Sequence, residues 1–282
     1  MPHVKRHYAL AAGIITNPQD YTEEVARQFD LRIAGVNHFT WMLKAEYAGR
    51  DVTPAIGAWL RQEAVAEAVS GDQSAKSRLN YTIGYALYQA FGYIPTCIGH
   101  TKEYVRFWQG LSRAADPIPP LSIWDPEERY DRHAAMWQQV DDFVSGKTPI
   151  ADYMTTFGPD HATDVIESMV GGLGKQFYVN TFNQGAVANM ADDAFLELLC
   201  DVDRDGPRPR PVGTMPRGLR GLQEQVLDTH ELTAEAVATC DRALLRRAML
   251  TDPLVSSIAD ADAIIGDLLT VERDALPACW YE

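Results

Sequence analysis

The 282-residue sequence lacks several features that would each define a class of protein. It has no apolar run of the roughly 18 to 20 residues that a membrane-spanning helix requires, and no signal-peptide core at its N-terminus. Only 25 basic residues stand against 39 acidic ones, a formal net charge of -14. Nucleic acids and anionic membranes both attract a basic surface, which this composition does not supply. The sequence therefore predicts a soluble, cytoplasmic protein with no nucleic-acid or membrane partner.

Cysteine is scarce, and its spacing excludes the common cysteine-based sites. The four cysteines, Cys97, Cys200, Cys240 and Cys279, are dispersed without a short Cys-x-x-Cys spacing. Neither a disulfide framework nor a structural zinc knuckle is indicated. We expect four reduced thiols.

What is present is a pattern of strands and amphipathic helices in a chain long enough for one large domain. Apolar runs with β-branched residues predict strands at 32–36, 41–47, 176–181 and 194–202. Helical periodicity predicts helices at 21–29, 53–69, 79–91, 130–143, 161–170, 216–229, 233–250 and 256–274. The run from Arg208 to Pro211 predicts a loop. We expect a single α+β domain over residues 1–282, with an antiparallel sheet from the 31–48 and 176–202 regions covered by helices on one side.

The stretch Ile-Ala-Gly-Val-Asn-His-Phe-Thr-Trp, residues 33 to 41, places Asn37 and His38 on a bend between two strands. A neutral imidazole held there can ligate a divalent metal, and the neighbouring carboxamide can hold a polar ligand. The pair alone is a weak signal, because a hydrogen-bonded turn histidine is the commoner use of such a residue.

A second stretch, residues 92 to 108, crowds ionisable groups beside glycine and proline. If the chain is helical from Thr101, then His100, Glu103 and Tyr104 share one face and could form a pocket wall. The competing interpretation is that the aromatic residues belong to the core and the charges to a solvated rim.

Three separated stretches together resemble glycoside hydrolase family 4, the NAD- and metal-dependent glycosidases of the lactate/malate dehydrogenase superfamily. They are Ala34-Gly-Val-Asn-His-Phe-Thr-Trp41; Phe91-Gly-Tyr-Ile-Pro95 followed by Gly99-His-Thr-Lys-Glu-Tyr104; and Val179-Asn-Thr-Phe-Asn-Gln-Gly-Ala-Val-Ala-Asn189. The region from Leu232 to Leu254 is similar to the closing helices of the family. Order and spacing agree over nearly the whole chain, which is far more specific than any one motif.

The resemblance covers only the C-terminal part of such enzymes. A family member would begin with an NAD-binding Rossmann domain of roughly 150 residues, and nothing in this sequence matches its Gly-rich turn. The metal-binding cysteine of the family, which normally precedes the Asn-His segment, has no counterpart between Met1 and Val36. We therefore expect a truncated chain. NAD and Mn²⁺, the cofactors of the full-length family, are expected to bind it weakly or not at all.

The resemblance also implies a mechanism and a set of roles. In the family, NAD oxidises the C3 hydroxyl of the sugar to a ketone, a base removes the acidified C2 proton, and the glycosidic oxygen leaves by elimination. This implies hydrolysis of the O-glycosyl bond of a hexoside or hexuronide, with a small-molecule glycoside as substrate and a homo-oligomer as the assembly. The roles implied are His38 as metal ligand, His100 as catalytic base with Tyr104 as the alternative, and Asn37, Glu103 and Asn183 as binders of sugar hydroxyls.

Two other functions stay open. A non-catalytic remnant or interaction domain predicts no NAD binding and no turnover, and the absent Gly-rich turn favours it. A relative of the 2-hydroxy-acid dehydrogenases predicts an arginine and histidine pair for carboxylate and hydride chemistry, and the Asn-His and Asn-x-Gly matches argue against it. We expect the isolated chain to be inert with NAD, manganese and aryl glycosides or uronides. We also expect it to expose an apolar surface where a nucleotide-binding domain and a partner subunit would sit.

Overall fold

The structure is a computed structural model and describes residues 2–70, 79–108, 126–153 and 161–281. Within these ranges an antiparallel sheet is combined with helices, so the predicted α+β class is confirmed. No helix among the described residues is long and apolar enough to cross a membrane.

The sheet has seven strands within the described ranges, in the order β3-β2-β1-β6-β5, with β4 pairing β2 and β7 pairing β6. The strands are β1 (Phe29–Val36), β2 (Phe39–Tyr47), β3 (Arg50–Asp51), β4 (Ile94–Pro95), β5 (Lys175–Phe182), β6 (Phe195–Asp203) and β7 (Gly206–Pro209). The contact between β1 and β6, where Ala34 lies opposite Leu198 and Gly35 opposite Glu197, joins two hairpins that are far apart in sequence.

Most helices of the described residues lie close to the predicted positions. They are α1 (Pro2–Ala11), α2 (Glu23–Gln28), α3 (Thr53–Val69), α4 (Asn80–Phe91), α5 (Ile98–Thr101), α6 (Pro126–Val144), α7 (His161–Gly171), α8 (Arg217–Thr239), α9 (Arg242–Thr251) and α10 (Ile258–Val271). Short 3₁₀ helices cover residues 18–20, 102–104, 106–108, 150–152 and 278–280.

The central strand is covered on both faces, which corrects the expectation of helices on one side. Neighbouring residues in a strand point to opposite faces of a sheet. Ile33 belongs to a core cluster with residues of α1 and α3, whereas Ala34 belongs to a second cluster with residues of α8. β1 accordingly changes from alternating burial at its start to continuous burial from Ile33 to Val36. The end of β1, where the Asn-His turn begins, therefore rests on packed structure on both sides.

Helix α8 runs through the point at which the sequence predicted a break near residues 230–232. The hydroxyl of Thr233 donates to the carbonyl of Thr229 at 2.7 Å, a bond within the helix rather than an N-cap. The helix instead ends at Cys240, which has a left-handed conformation with φ 54°. Asp241 then caps α9 by accepting hydrogen bonds from the backbone N–H groups of Ala243 and Leu244.

Two further expectations are wrong in detail. The first part of the predicted loop at residues 208–211 belongs to β7, an edge strand, where proline is tolerated because its missing N–H faces away from the ladder. Cys240 and Cys279 form a disulfide that closes 39 residues, so only Cys97 and Cys200 are free thiols among the four. Spacing in sequence could not reveal this pair, because the intervening helices α9 and α10 bring the two cysteines together.

Candidate functional site

Asn37 and His38 form the two-residue turn between β1 and β2. His38 has φ 59°, a left-handed conformation that is uncommon for residues other than glycine, although asparagine, aspartate and histidine are enriched there. Conformations of this kind persist only where the surrounding structure imposes them, and they cluster at functional sites. The imidazole of His38 is exposed, so the turn presents it to solvent on a rigid base.

The base of the turn is clamped by a side chain from α8. Gln223 is fully buried; its carbonyl oxygen accepts from the N–H of Val36 at 2.6 Å and its amide nitrogen donates to the carbonyl of Phe39 at 2.9 Å. The two strands approach so closely that a Cβ at Gly35 would overlap the carbonyl oxygen of Phe39. Glycine is therefore required at position 35, and Gln223 satisfies backbone groups that the turn would otherwise leave unpaired.

A polar layer from the neighbouring strands holds the turn from the other side. Glu197 of β6 lies opposite Asn180 of β5, and its carboxylate accepts from the backbone N–H of His38 at 3.0 Å. The amide nitrogen of Asn180 donates to the side-chain oxygen of Asn37 at 3.0 Å. This bond uses the acceptor of Asn37 and leaves its amide nitrogen as a donor for a ligand hydroxyl.

The loop after β4 brings a thiol to the same place. The N–H of Thr96 donates to the carbonyl of Thr40 at 3.0 Å, and the hydroxyls of these two residues share a hydrogen bond of 2.7 Å. The loop is thereby held along β2. Its next residue, Cys97, has its Sγ 3.4 Å from Nδ1 of His38.

His100, on α5, completes the cluster. Its ring stacks on the ring of His38, with centroids 4.7 Å apart and an interplanar angle of 29°. Nδ1 of His100 lies 2.9 Å from Oε2 of Glu103. A carboxylate on one ring nitrogen fixes the orientation of an imidazole and leaves the other nitrogen to exchange a proton with a ligand. The structure thus brings His38 and His100 together and pairs Glu103 with His100.

Tyr104 lies beside this cluster but is tied to the core. Its ring stacks on that of Phe39 at 5.2 Å. Burial raises the pKa of the Tyr104 phenol, and the nearby charge of Glu103 raises it further. A phenol with a raised pKa stays protonated at neutral pH and is suited to donating a hydrogen bond.

The pKa of the Cys97 thiol is also raised. Burial is the main cause, and the negative charge of Glu197 adds to it. At neutral pH the metal-free protein therefore holds Cys97 as a thiol rather than as a thiolate.

Asn183 does not belong to the site, which corrects the expectation that it binds a sugar. Its side chain is fully buried, and its amide nitrogen donates to the carbonyls of Val187, Met190 and Ala191. Its oxygen accepts from the N–H of Val187 at 2.7 Å. The carboxamide therefore holds the loop between β5 and β6 and has no capacity left for a ligand.

Across the part of the chain that the structure describes, no group of three or more His, Cys, Asp or Glu side chains is arranged to hold a metal ion. Among the described residues, Cys97 and His38 form a pair of donors at 3.4 Å.

A family model described as the family 4 glycosyl hydrolase C-terminal domain matches residues 33–255, the segment that contains every element of this cluster. The chain belongs to this family. The resemblance predicted from the sequence is therefore confirmed.

Relatives within family 4 include an alpha-galactosidase and an alpha-galacturonidase of Bacillus subtilis (strain 168). The first is 26% identical over 255 residues and the second 25% over 260, each match covering 87% of this chain and 55% of the relative. The chain thus spans about half the length of the curated family 4 relatives that it matches.

Solved family 4 structures have the same fold. A 6-phospho-alpha-glucosidase from gut microorganisms, in complex with NAD and Mn²⁺, gives a TM-score of 0.68 at 20% identity and covers 98% of this chain and 60% of that one. The 6-phospho-beta-glucosidase of Thermotoga maritima gives 0.58 at 20% identity, with 91% and 58% covered.

Proposed function

We propose that this chain provides the sugar- and metal-binding part of a glycoside hydrolase that acts on a hexoside or hexuronide by oxidation and elimination. The observation that carries the proposal is the stacking of His38 on His100 at the closed end of the β1–β2 hairpin, where Asn37 precedes His38 in the turn. This chemistry needs an amide that donates to a sugar hydroxyl, an imidazole that binds the metal, and an imidazole oriented by a carboxylate. Asn37, His38 and His100 are these groups.

Each residue of the cluster has a role in the proposed reaction. His38 would hold a divalent ion, which supplies positive charge where negative charge develops on the sugar oxygens. His100, oriented by Glu103, takes the proton from C2 of the sugar, and efficient transfer requires an approach of roughly 3 Å between heavy atoms. Asn37 donates to a sugar hydroxyl, and the neutral phenol of Tyr104 is a second donor at the edge of the cluster.

The residues fit a divalent ion better than they fit NAD. A dinucleotide site needs a Gly-rich turn between a strand and a following helix. In this chain the glycines at 171, 172 and 174 lie at the end of α7 and before β5, the reverse order. None of the roles proposed for the residues of this chain therefore involves NAD. Hydride transfer is proposed for the whole family 4 protein and not for this chain alone.

The proposal is tested by following ligand binding to the ¹⁵N-labelled chain by NMR with hexosides, hexuronides and 6-phosphoglycosides. The binding of one class is expected to shift the side-chain amide of Asn37 and the rings of His38 and His100, and His38→Ala should weaken it. Shifts confined to other surfaces, or binding that is unchanged in the variant, would contradict the proposal.

A second candidate is a non-catalytic remnant or interaction domain. It predicts no NAD binding and no proton abstraction from C2. Turnover experiments separate the two, because only the glycosidase predicts chemistry that depends on His100.

The proposal also includes a cytoplasmic location and a homo-oligomeric assembly. A cytoplasmic location predicts that Cys240 and Cys279, which form a disulfide in the structure, are reduced in intact cells, since disulfides persist mainly in oxidising compartments. Trapping thiols in intact cells before lysis, followed by mass spectrometry of the two cysteine peptides, would show which compartment the chain occupies.

A further inference from the structure

We propose that Cys97 and His38 form a chelating pair for a borderline or soft divalent cation such as Zn²⁺ or Co²⁺. The inference deepens the proposed function, on which it rests through His38, and it names a metal ligand in the loop after β4. Sγ of Cys97 and Nδ1 of His38 are 3.4 Å apart. A tetrahedral ion with bonds of about 2.3 Å to sulfur and 2.0–2.1 Å to nitrogen separates its two donors by roughly 3.5 Å.

Both donors are attached to backbone that other bonds hold in place. The His38 turn is fixed by the Glu197 carboxylate on its N–H and by its left-handed conformation. The carbonyl of Cys97 accepts from the hydroxyl of Thr101 at 2.9 Å and from the N–H of His100 at 3.0 Å. A cation would therefore meet two donors already at chelating distance, and little ordering of the chain would oppose its binding.

The surroundings favour a cation over a neutral ligand. The carboxylates of Glu197 and Glu103 both act electrostatically on Cys97. Oxygen ligands would be expected to complete the shell, since two protein donors leave positions for water or for sugar hydroxyls. As the sulfur–metal bond forms, the thiol proton passes to the buffer, and no oxidant or reductant is required.

The donor types determine which cation is preferred. A thiolate selects zinc and other softer ions, whereas manganese and magnesium prefer carboxylate, carbonyl and water oxygens. The Cys97–His38 pair is thus expected to bind Zn²⁺ and Co²⁺ more tightly than Mn²⁺, the ion present in the 6-phospho-alpha-glucosidase complex.

Cobalt provides a direct reporter in the absence of NAD and sugar. Titrating the purified chain with Co²⁺ should produce a near-ultraviolet thiolate-to-cobalt charge-transfer band and the visible bands of a tetrahedral site. Cys97→Ser should remove the charge-transfer band, and His38→Gln should weaken binding by at least the roughly 10–100-fold that is typical even of outer-shell changes. Cys200→Ala is the matched control, because Cys200 is the other free thiol and is fully buried.

The proposal is overturned if the wild-type chain shows no thiolate band, if the band survives in Cys97→Ser, or if Mn²⁺ displaces Co²⁺ as readily as Zn²⁺ does. Circular dichroism of each metal-free variant establishes that it is folded, and Cys97→Ala provides a second variant if the serine is not tolerated. The cobalt spectrum needs neither substrate nor turnover, so a failed glycosidase assay would leave the metal-binding result unchanged. A failed cobalt titration would likewise leave the glycosidase result unchanged.

Discussion

Gln223 connects parts of the chain that are 187 residues apart in sequence, since it accepts from Val36 at the end of β1 while belonging to α8. Both of its hydrogen bonds are buried and both involve the backbone that flanks Asn37 and His38. A single side chain from the opposite end of the domain therefore determines where the candidate metal ligand lies.

Replacing Gln223 with leucine should leave one backbone donor and one backbone acceptor buried without partners. Each unsatisfied group costs roughly 1–3 kcal/mol, so we expect a loss of about 2–6 kcal/mol in the free energy of unfolding. Urea denaturation would measure it. Gln225→Leu, on the same helix but exposed, is the control and should change the stability by less than about 1 kcal/mol. Equal losses of stability in the two variants would contradict the role of Gln223 in holding the turn.

The raised pKa of Cys97 predicts a pH dependence of its reactivity. The thiolate is the reactive form, and a raised pKa means that it forms only at higher pH than in an ordinary thiol. Alkylation of the metal-free chain by iodoacetamide, followed by peptide mass spectrometry, should therefore rise with a midpoint above the ordinary value of about 8.5. Cys200, whose pKa burial raises to about 12, should stay unmodified in the folded chain over the same range. A midpoint for Cys97 below about 8.5 would contradict the raised pKa.

Sequence alone located Asn37, His38, His100 and Glu103, because each lies in a short polar stretch between predicted elements. It missed Cys97, Glu197 and Gln223, whose sequence neighbours are apolar or helical. Glu197 reaches the turn only because β6 pairs with β1, and that pairing depends on tertiary structure. Asn183 shows the opposite error, since a polar residue in a matched motif is buried to hold its own loop.

At the scale of elements, strands and helices were predictable where periodicity and turn residues agree. Strand β5 and strand β6 lie close to the predicted positions, as do α3 and α4. The boundary between α8 and α9 was not predictable, because neither glycine nor proline marks it and the left-handed residue is a cysteine. What decides that boundary is packing of the last helices around Ala236, Leu269 and Trp280.

The Cys240–Cys279 disulfide joins the end of α8 to the segment that follows α10. In the chain-entropy model, closing a loop of 39 residues contributes about 4 kcal/mol by restricting the unfolded chain. The Cys240→Ser/Cys279→Ser double variant should therefore unfold at lower guanidinium concentration than the oxidised chain. Dithiothreitol should bring the wild-type chain to the same midpoint. Identical midpoints for the oxidised chain and the variant would mean that the bond does not form in solution.

At the scale of the whole molecule, an apolar groove between α3 and α4 is the surface suited to association. Its volume is about 750 Å³, and its lining includes Val65 and Val69, which are 57% and 78% exposed, beside Tyr85 and Tyr88. Exposed apolar surface of this kind marks interfaces between proteins.

We therefore expect the chain to self-associate through this groove. Sedimentation velocity at increasing concentration should show a concentration-dependent oligomer, and Val69→Glu should shift it toward monomer. Val144→Glu, at an equally exposed valine on α6, should leave it unchanged. A wild-type chain that stays monomeric throughout, or an oligomer unaffected by Val69→Glu, would contradict self-association through this groove.

The proposed chemistry has an oxidation step that needs NAD and an elimination step that does not. One substrate tests the elimination step by itself. In a 3-keto aryl glycoside the C3 oxidation has already been carried out, so NAD is no longer needed. The remaining step breaks the C2–H bond and the bond from C1 to the aryl oxygen, and forms a C1–C2 double bond. The base takes the proton and the aryl oxide leaves with the electron pair.

The most direct measurement is therefore the release of 4-nitrophenolate from the 3-keto form of the glycoside that binds best, with a divalent ion present and NAD omitted. We expect release at least roughly 100-fold faster than in buffer, in keeping with a positioned general base. We also expect the loss of this acceleration in both His38→Ala and His100→Ala. Release at the rate of buffer, or acceleration that persists in His38→Ala, would contradict the proposed chemistry.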